Sequence, residues 1–131
     1  MKRVLDASAA LEVALNRDGM PRLRLLLEEA SEILAPELLL AEAVNGLWKE
    51  HRFGGLPLAI CDEALELLPS LVHTWVPLEV LYREAFVLSR ANGLPANDMF
   101  YLALALREDA LLVTMDKTLK KEARRVGVRV A

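Results

Sequence analysis

Lys2-Arg3-Val4-Leu5-Asp6-Ala7-Ser8-Ala9-Ala10-Leu11 is the stretch that decides the fold. Its first residues form a short β run that stops at Asp6, and from Ala7 the small and apolar residues take helical spacing through Leu15. Outward from it, the same alternation repeats along the chain. Residues 21–30 read as a helix with Leu23, Leu26 and Leu27 on one stripe, and residues 32–35 as a second β run. Residues 37–52 form a helix with Pro36 at its first turn and Gly54-Gly55 as its stop. Pro57 opens a helix to about Leu68, residues 72–76 are a third β run, and Pro77 opens a helix ending at Asn92-Gly93. Asn97 or Asp98 caps a helix through Arg107. Residues 110–114 are a fourth β run, Asp116 caps a helix that Gly127 ends, and residues 128–130 are a fifth short strand. Strands separated by helices pair in parallel, so the expected fold is α/β, a central parallel sheet of about five short strands flanked by helices.

Bulk composition agrees with one domain over residues 1–131: 54% of residues are apolar and 27% charged. That length buries about two-thirds of the unfolded surface without a disulfide or structural zinc. Cys61 is the sole cysteine, which excludes a disulfide framework or a multi-cysteine zinc site and fits a reducing, cytoplasmic setting. No uncharged apolar run is long enough for a membrane span, and Asp6 and Glu12 interrupt what would otherwise resemble a signal segment. The net charge of −3 argues at first against a nucleic-acid binder. It is unevenly spread, however. Residues 1–116 carry −8, whereas residues 117–131 carry +5, with Lys117, Lys120, Lys121, Arg124, Arg125 and Arg129 against Glu122 alone. Lys117, Lys120, Lys121 and Arg124 are placed to hold a nucleic-acid backbone, although such runs are commonly solvated faces.

In a parallel sheet the ligand site lies beyond the carboxyl ends of the strands. Asp6 ends the first strand, Asp116 lies two residues past Thr114 at the end of the fourth, and Asp98 opens the preceding helix. Glu42 lies on the helix after the second strand with Asn45 on the same face. All four acids can reach one cleft. Two carboxylates about 4 Å apart repel by roughly 4 kcal/mol at an effective dielectric of about 20, so a proton or a hard cation must offset the cluster. Oxygen-only donors favour Mg²⁺ or Mn²⁺ over zinc, and such ions suit phosphodiester hydrolysis. Each acid also has a bland reading: Asp98 and Asp116 as helix caps, Glu42 as a solvated helix acid.

Four segments, in order, resemble the motifs of the PIN-domain family: Val4-Leu5-Asp6-Ala7-Ser8-Ala9-Ala10-Leu11, Pro36-Glu37-Leu38-Leu39-Leu40-Ala41-Glu42-Ala43-Val44-Asn45, Asn97-Asp98-Met99-Phe100-Tyr101-Leu102-Ala103-Leu104-Ala105 and Leu111-Leu112-Val113-Thr114-Met115-Asp116-Lys117-Thr118-Leu119. The resemblance implies a three-layer PIN fold and a Mg²⁺- or Mn²⁺-dependent ribonuclease. It further implies a VapC-type toxin that cleaves RNA, is restrained by a VapB-type antitoxin and forms a homodimer. By position, Asp6, Glu42, Asp98 and Asp116 map onto the metal-site acids, Ser8 and Thr114 onto supporting hydroxyls, and Asn45 onto the polar residue near the glutamate. Glu37 is the rival for the role of Glu42, but it lies in a first helical turn, where the dipole already favours an acid.

Other side chains have ordinary expectations. His51 belongs to a helix C-terminus and His73 to an exposed edge. Cys61 is a small buried hydrophobe, and Trp48, Phe53 and Trp75 are core or interface residues. Tyr101, three residues after Asp98, can line the cleft. The leucines of residues 21–30 and 57–71 exceed one stripe, which suits a dimer seam, a partner helix or a generous core. Competing readings are an RNA-processing nuclease acting alone, an aspartyl phosphatase with Asp6 as nucleophile, a receiver-like signalling module, and a catalytically silent binding module. Ser8 stands where the phosphatase chemistry needs a second acid, and Asp6 lacks the acidic neighbour a receiver needs.

Overall fold

The computed structural model describes residues 1–131. In chain order, β1 (Lys2–Leu5) leads to α1 (Ala7–Ala14) and α2 (Met20–Glu28), then β2 (Glu32–Pro36), α3 (Leu38–Gly54) and α4 (Leu58–Leu67), which tightens into a 3-10 turn at Leu68–Leu71. There follow β3 (Thr74–Val76), α5 (Leu78–Asn92), α6 (Ala96–Glu108), β4 (Leu111–Val113) and α7 (Lys117–Arg125). The strands form one parallel sheet in the order β3-β2-β1-β4. Val4 and Leu5 are buried, as are Ile33, Leu34 and Ala35. Consecutive burial, in place of alternation, means that both faces of the central strands are covered.

α6 lies across β1, β2 and β4, and α5 packs on α6. This is why α6 buries an unbroken run from Tyr101 to Ala105, since a helix trapped between layers needs an apolar surface all round. α1 packs against α2, α3 and α4. Gly46 of α3 lets α1 approach closely, because a Cβ there would stand 2.8 Å from a Leu11 methyl.

The sheet has four strands where about five are expected. Residues 128–130 contribute one parallel bridge, Val130 to Leu112, flanked by the Leu112 N–H to Arg129 and the Ala131 N–H to Leu112 bonds. The Val128 N–H is already donated to the Ala123 carbonyl, closing α7, so pairing starts too late to make a ladder. Pro36 also differs from expectation: it ends β2, and Glu37 precedes the first helical residue of α3. α6 is capped at Pro95, with Asp98 inside its first turn. The third strand starts two residues later than expected, at Thr74, where the Ile33 N–H is donated to the His73 ring and not to the facing backbone.

His51 lies in the last turn of α3, where its Nδ1 meets the Leu56 carbonyl at 2.7 Å. His73 is exposed, and its Nδ1 accepts the Ile33 N–H at 2.9 Å. Cys61 is buried. Trp48 and Phe53 are not core residues: they stack edge to face, and Phe53 is 75% exposed.

Candidate active site

Chain order determines where the site falls. From β1 the chain steps outward to β2 and β3, then returns to the other side of β1 as β4. The direction of winding therefore switches between β1 and β4, and a crevice opens beyond their carboxyl ends. Leu5 pairs with Val113, so the next residues, Asp6 and Thr114, face each other across that switch. The Asp6 N–H extends the ladder by one bond to the Val113 carbonyl at 3.2 Å.

The Asp6 carboxylate is held on several sides. Oδ1 accepts the Ala9 N–H at 2.9 Å and the Ser8 hydroxyl at 2.8 Å, and Oδ2 accepts the Thr114 hydroxyl at 2.5 Å. Asp6 is thus also the N-cap of α1. Ser8 in turn accepts the Met115 N–H at 3.0 Å, and Thr114 accepts the Asp116 N–H at 3.0 Å. These bonds tie the two loops at the switch into one unit. Only 4% of Asp6 is exposed. Burial raises its pKa to about 6 against the opposing hydrogen bonds, and the Asp116 charge adds to the rise.

Glu42 stands on α3 and accepts the Tyr101 hydroxyl at 2.5 Å. Tyr101 is buried on α6, one turn after Asp98. Burial raises the pKa of Glu42, against the Tyr101 bond, and the Asp98 charge adds to the rise. Burial also pushes the Tyr101 phenol upward, reinforced by Glu42 and Asp6, so it remains a donor. Asp116 is the N-cap of α7: its Oδ1 accepts the Thr118 N–H at 2.8 Å and the Leu119 N–H at 3.2 Å. Its Oδ2 accepts no protein hydrogen bond.

Asp6, Glu42, Asp98 and Asp116 line one cavity of about 240 Å³, together with Ser8 and Tyr101. No three acidic or imidazole side chains stand close enough to share one ion as they are now placed. A larger cavity of about 830 Å³ lies between Val13, Met20, Leu27, Ile33 and Leu71, away from the four acids. Asn45 is exposed on α3 and lies outside the acidic cavity, as does Glu37. Lys117, Lys121 and Arg124 are exposed on α7 and Lys120 is half-buried; none of the four is paired with an acid.

One acid escaped the sequence reading. Glu122 on α7 is only 7% exposed, and its Oε2 is buried with no partner. Burial, then the adjacent Asp98 carboxyl and the Asp116 charge, raise its pKa to about 7. The signal was present: Leu119, Glu122, Ala123 and Val126 share the i, i+3, i+4, i+7 stripe that turns a helix inward.

The PIN domain family model matches residues 3–124. Ribonuclease VapC3 of Pyrobaculum aerophilum is 30% identical over 127 residues, which cover 93% of this chain and 95% of the relative. The crystal structure of PAE2754 from Pyrobaculum aerophilum superposes with a TM-score of 0.75 at 24% identity, over 99% of this chain and 83% of that one. VapBC2 from Rickettsia felis, solved bound to a DNA fragment from its promoter, gives a TM-score of 0.69 at 21% identity, over 100% and 98%. Sequence match, sheet order and the acids gathered at the switch point agree, and this chain belongs to the PIN-domain family.

Proposed function

We propose that the protein is a divalent-metal-dependent endoribonuclease, the toxin of a VapBC-type toxin–antitoxin pair. The observation that carries this is the convergence of Asp6, Glu42, Asp98 and Asp116 on one pocket at the switch point. The donor set fits a hard cation: every polar group there is an oxygen donor, and carboxylate pKa values pushed upward by burial and by one another mark an uncompensated negative site. Bound Mg²⁺ or Mn²⁺ would supply Lewis acidity, lowering the pKa of an attacking water and offsetting charge on the leaving oxygen.

The chain's own residues divide the remaining work. Asp6, Asp98 and Asp116 would hold the ion once drawn together around it, and Glu42, oriented by the Tyr101 hydroxyl, would position a second ion or the water. Ser8 and Thr114 fix the Asp6 carboxylate, the usual role of hydroxyls behind a ligand. The unpaired basic residues Lys117, Lys120, Lys121 and Arg124 hold the RNA backbone beside Asp116.

A VapB-type antitoxin and a second copy of the chain are the proposed protein partners. Leu40, Val44 and Trp48 form an exposed i, i+4, i+8 stripe on α3, and Leu58, Ile60, Leu65 and Leu67 are exposed on α4. Such stripes suit partner helices. The VapC3 relative is a ribonuclease by name, and solved neighbours include VapBC-1 of nontypeable Haemophilus influenzae. Purified protein is expected to cleave single-stranded RNA in Mn²⁺ and not in EDTA, and Asp6→Asn to lose at least about 100-fold of that rate. Full activity of Asp6→Asn would overturn the assignment.

A further inference from the structure

On the ribonuclease function proposed above, we infer that the exposed end of α3 is a subsite for single-stranded RNA. Phe53 stacks on a base there, and Lys49 and Arg52 hold the backbone that leads away from the acidic cavity. Helix geometry sets the row. Glu42 lines that cavity, and Asn45, Lys49 and Arg52 follow it at i+3, i+7 and i+10, along one side of α3. At a rise of about 1.5 Å per residue, Lys49 and Arg52 stand roughly 10 and 15 Å beyond Glu42 along the axis. Asn45, Lys49 and Arg52 are all exposed. Neither cation is paired, and Glu50, the one acid among residues 43–54, is held by Arg17. The row thus passes from a carboxylate at the cavity to uncompensated positive charge outside it. That order suits a polyanion with one phosphate at the acids and the next ones along the helix.

Phe53 adds what a solvated charged face lacks. A large ring left 75% exposed contributes little burial to the fold. It is nevertheless held in place. Trp48 meets it edge to face, with centroids 5.7 Å apart and planes at 81°, and the Arg52 guanidinium lies 5.9 Å from its centroid. Nothing crowds this end of the helix: a Cβ at Gly54 or at Gly55 would have no neighbour within 4 Å. Lys49 lies one turn before Phe53 and Arg52 directly before it, so both cations stand beside the ring. A braced, exposed ring with unpaired cations is the combination that binds single strands without a base code, because every base has a π face and every nucleotide a phosphate. A partner protein helix would be met by an apolar face with its charges at the rim, and here the charges adjoin the ring itself.

Fluorescence anisotropy of a labelled oligouridylate of about ten nucleotides, with the full chain in EDTA, tests this, since the subsite contains no ion. Phe53→Leu keeps apolar bulk and removes the π face, and is expected to weaken binding by about 10-fold. Phe53→Tyr keeps the π face and is expected to bind as the unaltered protein does. Replacing Lys49 and Arg52 together by glutamine is expected to make the slope of log affinity against log salt shallower by about one to two. Equal affinity in Phe53→Leu, or equal losses in Phe53→Leu and Phe53→Tyr, would overturn the inference. So would a loss of affinity accompanied by a change of oligomeric state in light scattering, which would make this face a contact between protein chains. An unaltered protein that neither binds nor cuts RNA would overturn the proposed function and this inference together. One that cuts RNA in Mn²⁺, but binds no oligouridylate in EDTA or binds it equally well as Phe53→Leu, would overturn the α3 subsite alone.

Discussion

Asp6 and Asp116 each combine a helix cap with a proposed role in the cation site, and the two can be separated. Both are N-caps, which alone would explain an aspartate at either position. At Asp116 the cap uses Oδ1 only. Asparagine caps as well as aspartate but carries no charge, so Asp116→Asn is expected to stay within about 0.5 kcal/mol of the parent in urea unfolding while losing RNA cleavage. Asp116→Ala is expected to lose cleavage and about 1 kcal/mol of stability. A fully active Asp116→Asn would reduce this residue to a cap. Asp6 was legible because an acid directly after a buried strand stands out, and Tyr101 because it falls one turn after Asp98. Glu122 was not: in a segment with six basic residues its charge reads as an exposed counter-ion, and only the stripe with Leu119, Ala123 and Val126 reveals that it turns inward. Asn45 shows how little spacing alone fixes position. Spacing of three from Glu42 puts it near the same face of α3, but one turn further from the pocket is enough to leave it in solvent.

Among the elements, helices were the most legible. Gly55 and Gly93 take left-handed φ values of 72° and 65° at the ends of α3 and α5, the conformation that glycine reaches without a Cβ penalty. Strand ends were less legible, because competing hydrogen bonds decide them. The Val128 N–H closes α7 and so shortens the last strand to a bridge, a choice that no propensity records. α7 is also the element on which substrate affinity should depend. Its outward lysines touch no acid, so replacing Lys120 and Lys121 together by alanine is expected to leave stability nearly unchanged. RNA binding should weaken across all sequences, and the slope of log affinity against log salt should become shallower by about one to two. An unchanged salt dependence would place the RNA backbone elsewhere.

For the whole molecule, the clustered acids are a source of instability as the pH rises. Asp6 is raised from 3.8 to about 6 and Glu122 from 4.5 to about 7 in the folded chain. Over that range the unfolded chain has released protons that the folded chain still holds. Their contribution is therefore fully present below about pH 4 and is lost as pH rises through about 6 and 7. For Asp6 the loss is on the order of 3 kcal/mol. In EDTA, the urea midpoint of the protein is expected to fall between pH 5 and pH 8, and to fall less in Asp6→Asn. A midpoint that rises with pH equally in both proteins would show that other groups govern the dependence. The −3 total charge belongs to the same picture: it combines an acidic cleft with a basic helix beginning at its lip, so it never excluded RNA.

Thermal unfolding at pH 7.5 with and without Mn²⁺ tests most directly whether the acids at the switch point form a cation site. At about 100 times the dissociation constant, an ion bound only by the folded chain adds about 2.7 kcal/mol, which for a chain of this size is roughly 10 °C in Tm. A rise of that order, abolished in Asp6→Asn, is the expected result. An unchanged Tm at saturating Mn²⁺ would contradict it and leave the four carboxylates as caps and solvated acids.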